Sequence, residues 1–324
     1  MHIPDGFLSV PVSVACAVLS TVAIGAAAFR AHRALGPRAV AMVGVTAAFV
    51  FAAQLLNFPV AGGTSGHLIG GVLAAALLGP SMASVVMTAV LTLQCFVFGD
   101  GGVLSLGANV LNMGVVHPFV GFVVYRLVLG RQKARAPSGA RSIAALAFAS
   151  WVATVAAAAT CAGELALSRV AAPLVVLSAM VGVHAVIGLG EAGISGFVLA
   201  TLMRLRPELV GRVKSSESSV SVASVVVPGL VAALALALFV SPFACAWPDG
   251  LERVVQRLGI APAYAKLSLS APLRDYAVPG IGTGLRTTAL AGVLGTLLVF
   301  GACLVLGLCL SPRSAHEAPK TPRS

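Results

Sequence analysis

Charge is what this sequence has least of. Only 10% of its 324 residues are Asp, Glu, Lys or Arg, against about 25% in a soluble globular domain. That scarcity excludes an ordinary soluble fold. The chain also has no Cys-x-x-Cys pair. Its six cysteines, Cys16, Cys95, Cys161, Cys245, Cys303 and Cys309, are scattered and sit mostly in apolar runs, so neither a zinc cage nor a disulfide framework is indicated. No GxxxxGK[ST] stretch occurs, so the chain does not itself hydrolyse ATP. A ring of charges and repeated filter loops are missing too, which argues against a passive channel. No basic region precedes the first apolar run, and that run is too long for a signal core, so residue 1 is expected to be the mature N-terminus.

What is abundant is apolar length. The chain is 58% hydrophobic, with a mean hydropathy of +1.00. Its apolar runs have the length of helices rather than barrel strands, as a lipid bilayer demands. The expected fold is an all-α integral membrane protein. Seven spans form a core, at 7–29, 39–59, 67–79, 81–98, 107–128, 142–163 and 171–203. Two further transmembrane helices, at 222–241 and 287–310, flank an extracytoplasmic segment. The expected division is a core over 1–210, a serine-rich linker over 211–221, a two-helix domain over 222–312 and a tail over 313–324. The run 171–203 must cross once, so its first part is expected to be interfacial or tilted.

The net charge of +11 would suggest nucleic acid in a soluble protein, but its distribution points to topology instead. With the N-terminus outside, 15 of the 21 Lys and Arg residues fall on one side: at 30–38, 126–141, 204–214 and 313–323. Short loops rich in Lys and Arg stay in the cytoplasm. The expected location is therefore the inner membrane of a bacterial cell, N-terminus out and C-terminus in, with no nucleic-acid partner.

The span 67–79 is too short. Its 13 residues rise about 20 Å, against a hydrocarbon core of about 30 Å. Gly79-Pro80 closes one end, so His67 at the other should lie below the membrane surface, and the loop AGGTSG before it should dip into the protein. The N-terminus, on the same side, can reach it.

That N-terminus reads MHIPDG. A free α-amine, the next amide nitrogen and the imidazole of His2 form fused five- and six-membered chelate rings. A fourth nitrogen completes a square, the geometry of Ni(II) and Cu(II). His32 and His316 are expected on the other side, and His117 and His184 lie within spans, which leaves His67 as the fourth ligand. The plainer alternative, a hydrogen-bonding histidine in a glycine-rich loop, remains open from these residues alone.

Four stretches together, MHIPDGFLSV, GGTSGHLIGG (62–71), QCFVFGDGGVLSLGANVLNMGVV (94–116) and HAVIGLGEAGISG (184–196), resemble the NikM/CbiM family, the substrate-capturing components of nickel/cobalt energy-coupling-factor transporters. WPDGLERVVQRLG (247–259) resembles the small PDGLE partner domain. The resemblance implies a metal site of Met1, His2 and His67 for Ni(II), with Co(II) as the alternative. It also implies a membrane coupling subunit and two separate ATPase subunits as partners, and a non-enzymatic role. Release is implied to need a toppling of the seven-span core. From its expected side of the membrane and its fusion in one chain, the PDGLE segment is expected to act as a contact module above the pocket, without a cluster of ligands of its own, that touches the N-terminal loop and gates metal entry. Pro and Asp after MHI resemble the nickel branch.

The remaining polar residues carry open readings. Asp100 either bonds its own turn or helps close the pocket. Asn109 and Asn112 serve either helix packing or the support of the site. His184 and Glu191, seven apart on one helix face, are expected to pair. Ser13, Ala17, Thr21 and Gly25 form a small-residue seam for a neighbouring helix or a partner subunit. A distant alternative is a rhomboid-like serine protease, with Ser65 of GTSG as nucleophile and His184 as base.

Overall fold

A computed structural model describes residues 1–32, 37–130, 139–210, 222–267, 270–282 and 284–311. The expected linker 211–221, the tail 313–324, Arg33 and residues 131–138 of the basic loop lie outside the described residues. The molecule is a helical bundle. Its main helices among the described residues are α1 (Val10–His32), α2 (Pro37–Gln54), α3 (Gly71–Leu78), α4 (Pro80–Phe98), α5 (Leu106–Leu129), α6 (Gly139–Leu167), α7 (Pro173–Leu205), α8 (Val222–Phe243), α9 (Gly250–Leu258) and α10 (Leu285–Leu310). Seven of them, α1, α4, α5, α6, α7, α8 and α10, are long and apolar enough to cross a membrane. The only sheet among the described residues is a small antiparallel hairpin, β1 (Phe58–Val60) with β2 (Thr64–Gly66), in which Pro59 faces Ser65.

α2 has 18 residues, and α3 is shorter than expected, with 8. Residues 67–70 do not join α3 because their backbone groups bond to side chains of other helices: Gln54 donates to the Ile69 carbonyl, and Glu191 accepts from the Ile69 and Gly70 amides. At the far end Gly79 stops α3 at φ 82°, a conformation that favours glycine, and Pro80 at the first position of α4 restarts the chain as a helix. Eight helical residues rise about 12 Å, so the chain before α3 lies inside the bundle. α7, by contrast, is one continuous helix of 33 residues.

Both α4 and α5 contain a π-helical turn, over Gln94–Phe98 and Val110–Val116. Such turns re-aim side chains within a helix and are frequent at functional sites. Close packing depends on small residues, as expected in lipid, where helices gain little from hydrophobicity alone. A Cβ at Gly107 would lie 2.5 Å from the Ala17 Cα, so α1 and α5 meet backbone to backbone. Part of the small-residue seam on α1 is thus used inside the chain, whereas Thr21 and Gly25 face outward.

α8 and α10 pack against α2. Phe98 stacks on Tyr276 at 4.7 Å between centroids and touches Phe51 at 5.3 Å, joining this C-terminal part to α2 and α4. α9 is strongly amphipathic: Leu251 and Val254 are buried, while Arg253 and Arg257 donate to the Gly62 carbonyl of the hairpin turn. It lies across the end of the bundle that carries the N-terminus.

Candidate metal centre

The first residues of the chain form no helix, yet Met1 is 3% exposed and Ile3 is fully buried. Extended backbone at such depth must find partners. Asn109, just before the π turn of α5, accepts from the Ile3 amide at 2.7 Å and donates to the Ile3 carbonyl at 3.1 Å. Gly102 adds a second donor to that carbonyl, at 2.9 Å. A Cβ at Gly102 would fall 2.1 Å from an Asp5 oxygen, so only glycine admits this approach. The Asp5 carboxylate in turn accepts from the amides of Leu104 and Ser105. The acid of MHIPDG thus ties the N-terminal segment to the loop after GDGG.

This anchoring delivers the α-amine of Met1 to 3.1 Å from His67 Nε2 and 2.6 Å from Asp249 Oδ2. The rings of His2 and His67 stack at 5.5 Å with 23° between their planes. His2 Nδ1 lies 3.3 Å from Asp100 Oδ1, and His2 Nε2 lies 3.3 Å from Gln94 Oε1. His67 Nδ1 meets the Leu68 carbonyl at 3.1 Å. The structure therefore brings Met1, His2 and His67 together. Among the described residues no group of three His, Cys, Asp or Glu side chains is placed to hold a metal ion.

Burial, the neighbouring ammonium and the His2 ring push the pKa of His67 down. That shift favours the neutral imidazole, whose Nε2 faces the amine. Burial also lowers the pKa of His2, opposed by Asp100. For Asp249, burial acts upward, but the ammonium charge and its hydrogen bond outweigh it and hold the carboxyl well below the usual carboxylate range.

Asp249 belongs to the PDGLE stretch, WPDGLERVVQRLG. Its carboxylate reaches the Met1 amine. Its Oδ1 caps α9 by accepting from the Glu252 amide, Glu252 returns a bond to the Asp249 amide, and Oδ2 is left for Met1. A Cβ at Gly250 would meet His184 at 2.7 Å, so glycine lets α9 settle onto α7. Between Met1, His67, His184, Asp249 and Gly250 about 10 Å³ of space remains, near the size of one water-sized sphere.

The expected pairing of His184 with Glu191 is not found. His184 Nδ1 bonds the Met180 carbonyl one turn back, at 2.8 Å. Glu191 accepts from the amides of Ile69 and Gly70, at 2.8 and 3.0 Å, and its Oε1 lies 3.2 Å from His117 Nε2 without hydrogen-bond geometry. One carboxylate thus clamps the two peptides that follow His67. Asn112 serves a separate buried group, donating to Glu164 at 2.8 Å. Asp100 accepts from Tyr276 at 2.7 Å in addition to facing His2. Ser65 donates its hydroxyl to the Trp247 carbonyl. No hydrogen bond joins Ser65 to His184, so the protease alternative lacks its dyad. Gln54 and Gln94, which the sequence reading passed over, stand behind His2. The available signal was an amide in each of two apolar runs, where polar groups usually face the bundle interior.

The family profile for the cobalt uptake substrate-specific transmembrane region, CbiM, matches residues 2–209. The chain belongs to the CbiM family. Residues 223–312 match the PDGLE domain. The fused nickel transport protein NikMN of Rhodobacter capsulatus is 34% identical over 362 aligned positions, covering 97% of this chain and all of that protein. A protein of Archaeoglobus fulgidus, named "Putative fused nickel transport protein NikMN", is 34% identical over 315 residues, 96% of this chain and 98% of that one. The crystal structure of a truncated transition-metal transporter superposes with a TM-score of 0.56 at 33% identity, covering 63% of this chain and 99% of its own. This CbiM-family chain is thus a multi-pass membrane protein whose relatives are metal transport proteins.

Removing the clamp tests how the site is held. Glu191→Ala should leave the Ile69 and Gly70 amides without acceptors and speed their hydrogen–deuterium exchange, while the helical amides of α6 stay protected. Unchanged exchange at those two amides would show that His67 is positioned by other contacts.

Proposed function

We propose that the chain is the substrate-capturing subunit of an ATP-driven nickel uptake transporter. Ni(II) is bound in a plane of four nitrogens: the Met1 amine, the His2 amide, His2 Nδ1 and His67 Nε2. One observation carries this reading, the 3.1 Å between the Met1 amine and His67 Nε2. Two nitrogens at right angles on one metal, each about 2.0–2.1 Å from it, lie about 2.9 Å apart. The amine and His67 therefore need to move by only a few tenths of an ångström to become neighbouring ligands. Planar nitrogen ligation suits Ni(II), which also promotes loss of the amide proton, and disfavours tetrahedral Zn(II). Co(II) is the second reading, favoured by the cobalt description of the family profile, and competition between the two ions for uptake decides between them.

The metal is cargo, so capture must be followed by release. The sequence holds no nucleotide motif, and the proposed partners are a membrane coupling subunit and two ATPase subunits. Toppling of the core by those partners would carry the site across the membrane. The PDGLE segment gates the site, a role supported by the Asp249 carboxylate on the amine and by the bonds of Ala263 and Tyr264 to the Gly6 carbonyl. Nickel uptake with the partner subunits present should collapse for His2→Ala, for His67→Ala and for one alanine inserted after Met1, which enlarges a chelate ring. A chain ending at residue 221 should retain only a small part of the uptake. Normal uptake by His2→Ala would move the site elsewhere, and full uptake by the shortened chain would remove the gating role.

The proposed orientation in the bacterial inner membrane puts the N-terminus and residues 242–286 outside. A cysteine placed at Gly280, on a background lacking the six native cysteines, should react in whole cells with a membrane-impermeant thiol reagent. Reaction only after the cells are broken would invert the topology.

A further inference from the structure

Behind the His2 ring, away from the amine, runs a chain of two side-chain amides. Gln54, at the end of α2, donates from Nε2 to the Ile69 carbonyl at 2.8 Å. Its Oε1 accepts from Gln94 Nε2 at 2.7 Å. Gln94 Oε1 then faces His2 Nε2 at 3.3 Å. Gln54 is 6% and Gln94 1% exposed, so water does not offer them substitute partners.

The direction of this chain is not free. A backbone carbonyl can only accept, so Ile69 fixes which end of Gln54 points toward it. Gln54 then offers an acceptor to Gln94, which must answer with its NH₂ group and turn its oxygen toward His2. Reversing Gln94 would set oxygen against oxygen at Gln54, and reversing Gln54 would do the same at Ile69. The peptide that carries this carbonyl is itself held, because its N–H, that of Gly70, is bound by Glu191. An oxygen facing His2 Nε2 is satisfied only by N–H on that nitrogen.

We propose that Gln54 and Gln94 are positioning residues that set the tautomer of His2, holding the ring proton on Nε2 and leaving Nδ1 free for a divalent metal. The consequence for nickel rests on the four-nitrogen reading above, whereas the tautomer belongs to the empty site. The device has an opponent, since Asp100 Oδ1, 3.3 Å from Nδ1, would hold the proton on the nitrogen that should bind metal. Tyr276 donates to the other oxygen of Asp100 and so draws off part of that pull. The same arrangement holds at the second ring. The Leu68 carbonyl takes the Nδ1 proton of His67 and leaves Nε2 toward the amine. Fixed acceptors of this kind orient metal-bound histidines in general, and their loss weakens affinity by about ten- to a hundredfold.

The test uses the full chain in detergent, metal-free, with ¹⁵N-labelled histidine rings. A long-range ¹H–¹⁵N spectrum at pH 8 distinguishes the two neutral tautomers, and the His2→Ala spectrum identifies the His2 signals. The unaltered chain should show N–H on Nε2. In Gln94→Leu the proton should pass to Nδ1, opposite Asp100, and nickel affinity should fall by about ten- to a hundredfold. Gln54→Leu, which does not touch His2, should shift the tautomer the same way by freeing Gln94 to turn, and it serves if Gln94→Leu does not fold. The double variant should go no further than Gln94→Leu. N–H on Nδ1 in the unaltered chain would overturn the proposal. So would a tautomer unmoved by either substitution, even with weakened nickel binding, because the glutamines would then act by packing alone. Normal nickel uptake by His2→Ala would defeat the metal reading separately and leave the tautomer result intact.

Discussion

A charged amine buried in a membrane protein needs a countercharge, and Asp249 supplies it. The ion pair between Met1 and Asp249 spans 2.6 Å and joins the first residue to one 248 positions later. Removing one partner of a buried pair is strongly destabilising, and with Met1 buried and Asp249 half-buried the N-terminal segment and α9 hold each other in place. The rest of the site follows from keeping that amine where it is. Asn109 satisfies both backbone groups of Ile3, Asp5 ties the segment to residues 104 and 105, and the glycines of GDGG make room for it. On the proposed reading nickel takes the place of the amine's protons, and Asp249 loses its partner. Chelation by protein ligands is worth on the order of 10 kcal/mol, enough to offset that loss. The empty site is then closed by a carboxylate, and the PDGLE segment feels directly whether the site is filled.

Three buried polar side chains from the helices support the two imidazoles and their neighbouring peptides. Glu191 of α7 clamps the peptides after His67, and the Gln54–Gln94 pair reaches His2 from α2 and α4. Polar groups at such depth are costly unless they bond to one another, and here the bonds run from one glutamine to the other and end on a site residue or a nearby peptide. The π turns of α4 and α5 begin at or just after the side chains that make these contacts, Gln94 and Asn109. The long helices build the scaffold, and their irregular turns aim the polar side chains inward.

Much of this was legible before the structure. The all-helical membrane fold followed from apolar length and scarce charge. The short third span followed from 13 residues set against a bilayer, and the structure shortens it further because Glu191 and Gln54 take the backbone groups that α3 would have used. Met1, His2 and His67 could be grouped because chelate-ring chemistry singles out a histidine at position 2. What sequence could not supply was pairing across long separations. His184 and Glu191 share a helix face, yet each is drawn to a partner set by packing: the Met180 carbonyl for one, the Ile69 and Gly70 peptides for the other. Asp249 was visible as an acid heading a helix with Glu252 three residues on, a capping box. Nothing in its surroundings indicated that one of its oxygens would be free for an amine at the other end of the chain.

The central claim is that nickel replaces the amine protons in a plane of nitrogens and displaces Asp249. X-ray absorption at the nickel edge, on the purified full chain loaded with one equivalent of Ni(II), tests it most directly. The account predicts a four-coordinate planar spectrum with nitrogen neighbours only, two of them imidazole, and no carboxylate oxygen. A six-coordinate spectrum with oxygen neighbours, altered in Asp249→Asn, would contradict it.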